Sequence, residues 1–155
     1  MNRIYTLLED KGAIMSGHFI LTSGLHSNMY IEKFRVLEDP QALNEVCKSM
    51  AQIVKDQNVE LVVGAAIGGI LIAGGVGRHL GVKHIFSERV NGNMELRRGF
   101  SITMGQKVVI VEDVITTGGS VSELIQLTEG CQAEIVQVIN LVDRSPDGIY
   151  FGVPT

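Results

Sequence analysis

The 155-residue chain has no tryptophan, three prolines and two cysteines. Cys47 and Cys131 are far apart and no secretory leader is expected, so reduced thiols and a cytoplasmic location are expected instead of a disulfide framework. The 13 basic residues are outnumbered by 17 acidic ones, and no block of Lys and Arg occurs, which argues against nucleic acid as a partner. No apolar run reaches the roughly 18 residues of a membrane span. Residues 61–77 come nearest, but GAAIGGI divides them into strand, loop and helix, so no membrane partner is expected. His18, His26, His79 and His84 lack metal-ligand spacing. Two common phosphate motifs are missing as well. Gly119 is followed by Ser120 and Val121, not by the Lys of a P-loop, and no GxGxxG precedes an acidic pair.

The sequence does have 45% hydrophobic residues and 18 glycines, as expected of one α/β domain with buried strands and tight loops. Residues 3–11 have the periodicity of a short amphipathic helix ended by Gly12. Residues 17–36 read as two short strands about a Ser-Gly turn, a small hood separate from a core over 37–155. Asp39 and Pro40 open a second helix, whose stripe of Leu43, Val46, Cys47, Met50 and Val54 faces inward to about Gln57. Strands are expected at 61–63, 83–86, 108–111 and 133–142, with a short one at 100–103. Helices are expected from the 64–69 bend to Leu80 and over 122–129. Residues 88–98 lose periodicity around Asn91-Gly92 and read as a mobile loop or hairpin.

The most informative segment is VVIVEDVITTGGS, residues 108–120. Four β-branched residues suit a central strand covered on both faces, and Glu112 and Asp113 then fall at its carboxyl end, the edge where open α/β sheets bind ligands. Gly118 and Gly119 let backbone amides close around an anion. Thr116, Thr117 and Ser120 add hydroxyl donors at the start of the next helix, whose dipole favours a phosphate.

All thirteen residues resemble the phosphoribosyl-diphosphate loop of the type I phosphoribosyltransferases. The hood, the GAAIGG bend and NLVDRS at 140–145 extend the likeness, in order, to the members that take orotate. The resemblance implies a central, mostly parallel sheet flanked by helices with a small N-terminal hood. It also implies transfer of ribose 5-phosphate from phosphoribosyl diphosphate to orotate with Mg²⁺. On this likeness Glu112, Asp113, Val114, Ile115, Thr116, Thr117, Gly118, Gly119 and Ser120 hold the donor, and the 64–69 bend, with Gly68, presents amides to its diphosphate. Glu112 and Asp113 bear on catalysis by holding ribose hydroxyls or metal-bound water, with no tight protein ligation of the metal.

Arg144 offers a planar fork to the orotate carboxylate, the alternative being a salt bridge to Asp143; Thr116 and Lys33 are further orotate candidates. The 88–98 loop is expected to close over the leaving group with Arg89 as its first cation, before Arg97 and Arg98, and to serve the neighbouring subunit of a homodimer with shared sites. Several departures stand out. The loop has no Lys or His between Ser87 and Gly105, Thr22 replaces a base-side Lys, Ala65 replaces a frequent Pro, and relatives extend past the position of Thr155. Two alternatives stay open: a phosphoribosyltransferase for another base, and a non-catalytic sensor of phosphoribosyl diphosphate or a nucleotide.

Overall fold

A computed structural model describes residues 3–20, 24, 26–145 and 148–155; Thr22 and most of the expected Ser-Gly turn lie outside these. Its contacts divide the chain into two units, 1–45 and 46–155, a boundary later than the 36/37 division expected. The shift has a local cause. Helix α1 (Arg3–Asp10) is tied to the start of helix α3 (Pro40–Val54) by Arg3 to Glu45 at 2.5 Å, and Lys11 reaches Asp39 at 2.6 Å.

In the N-terminal unit α1 buries Leu8 and ends where Gly12 takes φ +66°, so the amides of Gly12 and Ala13 fold back onto the carbonyls of Glu9 and Leu8. Strands β1 (Ile14–Ile20) and β2 (His26–Ile31) pair antiparallel, with a register shift between Ser16 and Phe19. A short helix, α2 (Phe34–Leu37), buries Val36 and Leu37. Asp39 Oδ1 accepts the amides of Gln41 and Ala42, both at 2.9 Å, which is the expected cap of α3.

The C-terminal unit holds a five-stranded sheet in the order β5-β4-β3-β6-β7. Strands β3 (Leu61–Ala65), β4 (Lys83–Val90), β6 (Lys107–Ile115) and β7 (Glu134–Asp143) are parallel, and β5 (Asn93–Leu96) is an antiparallel edge on β4. Both faces are covered. Leu61, Val63, Val108 and Ile110 pack with Val121, Leu124 and Ile125 of helix α5 (Gly119–Gly130). The alternate positions Val62 and Val109 are equally buried, on the side where Gly64 approaches Ala73 of helix α4 (Gly68–Leu80).

Two expectations change here. Residues 100–103 form no strand; the edge strand is β5, because Asn91 and Gly92, at φ +49° and +89°, turn the chain directly back along β4. The 88–98 segment is therefore a β-hairpin. Strand β6 is also longer than its apolar run, since its last residues pair with β7 after β3 has ended.

Candidate active site

Strand β6 keeps β3 as a neighbour only as far as the Gly64–Val111 pair, and beyond it pairs with β7 alone, from Glu112–Asn140 to Ile115–Asp143. Glu112 and Asp113 thus stand where the sheet opens, and both are buried, at 6% and 4% exposure. Their carboxylates are held from the backbone: the Asp113 amide donates to Glu112 Oε1 at 3.0 Å and the Val114 amide to Asp113 Oδ1 at 2.6 Å.

After Ile115 the chain leaves the sheet with Thr116 and Thr117 exposed. Gly118 then takes φ +74° and α5 begins at Gly119. A side chain is excluded at Gly118 twice over: the backbone is left-handed, and a β-carbon would come within 2.9 Å of both Ile149 and Phe151. Glu112 and residues 114–121 line a cavity of ≈ 50 Å³ at the amino end of α5. That is room for a small anionic group beside helix amides and three hydroxyls. Size alone does not mark a site in this chain. A hollow of ≈ 660 Å³ lined by Gly148, Ile149, Tyr150 and residues 152–155 offers no charged side chain.

The glycine-rich bend lies on the same rim. A β-carbon on Gly64 would overlap the backbone of Gly69, so these two glycines answer to close packing. Gly68 differs, since a β-carbon there would overlap the Asp113 carboxylate, which brings the bend against the acidic pair. Not every amide of the bend is available to a ligand, because that of Ala66 already donates to the Ser87 carbonyl at 2.9 Å. The Ala66–Ile67 peptide is cis, and Ile67 is exposed.

Arg144 follows β7, and its amide donates to the Ile115 carbonyl at 2.8 Å, so its backbone is fastened beside Thr116. The alternative salt bridge to Asp143 is not formed. Asp143 Oδ1 accepts from the Ser145 amide at 2.8 Å and its hydroxyl at 2.6 Å, and the half-buried Arg144 pairs with no acid among the described residues. Lys33 belongs to the N-terminal unit, with its ammonium 5.6 Å from the centre of the Phe34 ring.

The hairpin arginines are placed as follows. Arg89 forks onto Glu123 of α5, at 2.8 and 3.1 Å, and also donates to the Gly92 carbonyl. That pairing holds the guanidinium's charge more firmly and draws the Glu123 carboxyl below the usual carboxylate range. Arg98 pairs with Glu88 at 3.1 Å and lies over the Phe86 ring. The structure therefore brings together Glu112, Asp113, Thr116 to Ser120, Gly68 and the backbone of Arg144, while Arg89 is engaged on the hairpin. Glu123, Ser145 and the Ile149–Phe151 support of Gly118 had no signature in the sequence, because each acts across a turn or between elements distant along the chain.

A family model described as a phosphoribosyl transferase domain matches residues 35–148. The chain is 48% identical over 157 residues to an orotate phosphoribosyltransferase of Desulforamulus reducens, covering 100% of this chain and 82% of the relative. It is 49% identical over 142 residues to the protein of the same name from Chlorobium phaeobacteroides, covering 92% and 74%. Among solved structures, orotate phosphoribosyltransferase from Aeropyrum pernix superposes with a TM-score of 0.77 at 26% identity, covering 91% of this chain and 81% of that one. Adenine phosphoribosyltransferase from Rhodothermus marinus gives 0.76 at 22% identity, covering 97% and 96%, a likeness of fold alone.

Proposed function

The chain belongs to the orotate phosphoribosyltransferases, and from that premise we propose how its residues carry the family's reaction. The enzyme transfers ribose 5-phosphate from phosphoribosyl diphosphate to orotate, giving orotidine 5′-phosphate and diphosphate in pyrimidine biosynthesis. The observation that carries the assignment of roles is the buried Glu112–Asp113 pair at the mouth of the 116–120 loop, with Arg144 fastened beside it.

In this proposal the loop amides and the hydroxyls of Thr116, Thr117 and Ser120 receive the 5-phosphate at the start of α5. Glu112 and Asp113 accept the ribose hydroxyls. Departure of diphosphate leaves an oxocarbenium-like C1, and the neighbouring carboxylates favour that positive charge. The bond from C1 to the diphosphate oxygen breaks as the bond to the orotate ring nitrogen forms, and the proton that nitrogen gives up passes to the departing diphosphate. Arg144 holds the orotate carboxylate through paired N–H donors, with Thr116 beside it.

The donor set suits Mg²⁺ bound through substrate. Two neighbouring carboxylates are hard oxygen donors, and no group of three or more His, Cys, Asp and Glu gathers for a metal among the described residues. When bound, Mg²⁺ would neutralise charge on the departing diphosphate, with Glu112 and Asp113 holding its waters.

A homodimer with shared sites is part of the same proposal, with Arg89 on the hairpin as the cation offered to the neighbouring subunit. A cytoplasmic location is supported by the two free cysteines. The direct test is loss of orotate absorbance with Mg²⁺ and phosphoribosyl diphosphate. Turnover of adenine without turnover of orotate would assign another base. Saturable donor binding with no turnover of any base would make the protein a sensor.

A further inference from the structure

The hairpin of the N-terminal unit brings together two histidines that stand eight residues apart in the sequence. His26 pairs directly with Ile20 across the strands, and His18 lies two residues before Ile20 on the same strand. His18 lies within the register shift between Ser16 and Phe19, where regular alternation is broken, and its ring reaches His26 across the pair. The rings meet at 4.8 Å between centroids with 36° between their planes, and His18 Nε2 lies 2.6 Å from His26 Nδ1. Both side chains are exposed.

At 2.6 Å the two imidazole nitrogens share one proton as an N–H···N hydrogen bond, and once that proton is lost and the rings part slightly both can turn lone pairs toward one cation. From this geometry we propose that His18 and His26 form a two-imidazole site for a borderline divalent cation of the Zn²⁺ or Ni²⁺ class. Metal–nitrogen bonds of about 2.0–2.1 Å at a tetrahedral angle place the two nitrogens roughly 3.4 Å apart, so the exposed rings need to part by less than about 1 Å. His18 then carries its proton on Nδ1 and His26 on Nε2, and water completes the coordination. Imidazole selects such ions over Mg²⁺, which prefers oxygen, so the site is chemically distinct from the carboxylate pair. Its consequence is structural. A two-stranded sheet is marginal in isolation, and an ion joining β1 to β2 favours the folded hairpin.

The test is calorimetric titration of the full chain with Zn²⁺ alone, and separately with Ni²⁺ alone, in buffer containing millimolar Mg²⁺. One ion per chain is expected. His18→Asn and His26→Asn should each weaken it by about tenfold or more, the scale of losing one supporting group at a metal site. His79→Asn, at an exposed histidine of α4, should leave it unchanged. Circular dichroism establishes that each variant is folded, and the ring C–H resonances of the two histidines should shift together on titration. Absence of saturable binding, or binding that survives either hairpin substitution, overturns the proposal.

Discussion

Gly68 and Asp113 claim the same space: the carboxylate of Asp113 lies where a β-carbon of Gly68 would be. The 64–69 bend and the acidic pair are therefore built against each other, and a change in one is felt in the other. Gly68→Ala must move either the bend or Asp113. Displacement of a catalytic group by about 1 Å costs on the order of 100-fold in rate, so kcat/KM should fall by about that factor while far-ultraviolet dichroism is retained. Activity within about twofold of the unmodified enzyme would separate Gly68 from the carboxylate's work.

Arg144 is expected to act on one substrate alone. Removing a charged hydrogen-bond donor costs about 1.5–3 kcal/mol, so Arg144→Ala should raise the orotate KM roughly 10- to 100-fold and leave the KM for phosphoribosyl diphosphate almost unchanged. Arg144→Lys should recover little, because an ammonium cannot present two parallel donors. Equal effects on both KM values would take Arg144 out of the base site.

The Arg89–Glu123 fork fastens the β4–β5 hairpin to α5. Glu123→Gln should speed amide exchange in Asn93–Leu96, seen by mass spectrometry, because the edge strand loses that anchor. Shared sites have a separate signature. Mixing Arg89→Ala with Asp113→Asn should restore partial activity, and no recovery despite proven subunit exchange would rule the shared arrangement out.

Cys47 is buried on α3 against Gly75, with its thiol donating to the Ile72 carbonyl at 3.7 Å. Burial pushes the thiol up to about 11, so it stays protonated at pH 8 and is a poor nucleophile. A thiol reagent at that pH should modify the half-buried Cys131 first and reach Cys47 only on unfolding. Rapid modification of two thiols in the folded protein would contradict this packing.

Asp39 links acid stability to the start of α3. The Lys11 ammonium, then the Ala42 amide, holds its carboxyl below the usual carboxylate range. A depressed carboxyl contributes stability that is complete above its unfolded value and is lost as pH falls through its folded value. The Tm advantage of the unmodified protein over Asp39→Ala should therefore be full near pH 6 and shrink toward about pH 3. A gap that does not change with pH would leave only the cap's geometry as the cause.

The strand, loop and helix start at 108–120 were legible in the sequence because their signals are contiguous. A β-branched run, two carboxylates, hydroxyls and glycines at 108–120 specify strand, acidic rim and helix start by local rules, and the loop cavity is lined by Glu112 and residues 114–121. The cap at Asp39 and the stop at Gly12 were readable for the same reason. The reading of 100–103 as a strand failed because an apolar run has no way to register that Asn91-Gly92 had already turned the edge strand back to 93–96.

What the sequence by itself determined is the set of local conformations and the residue types gathered at 108–120, since turns, caps and buried strands follow from neighbours along the chain. Tertiary structure decided the rest: that Gly68 lies against Asp113, that Arg89 is held by Glu123, that Asp143 turns to Ser145 and leaves Arg144 unpaired by it, and that His18 meets His26. Apart from the short Asp143–Ser145 turn, these contacts join residues on different elements. They depend on strand register and on which face a side chain takes, quantities set by packing and not by spacing.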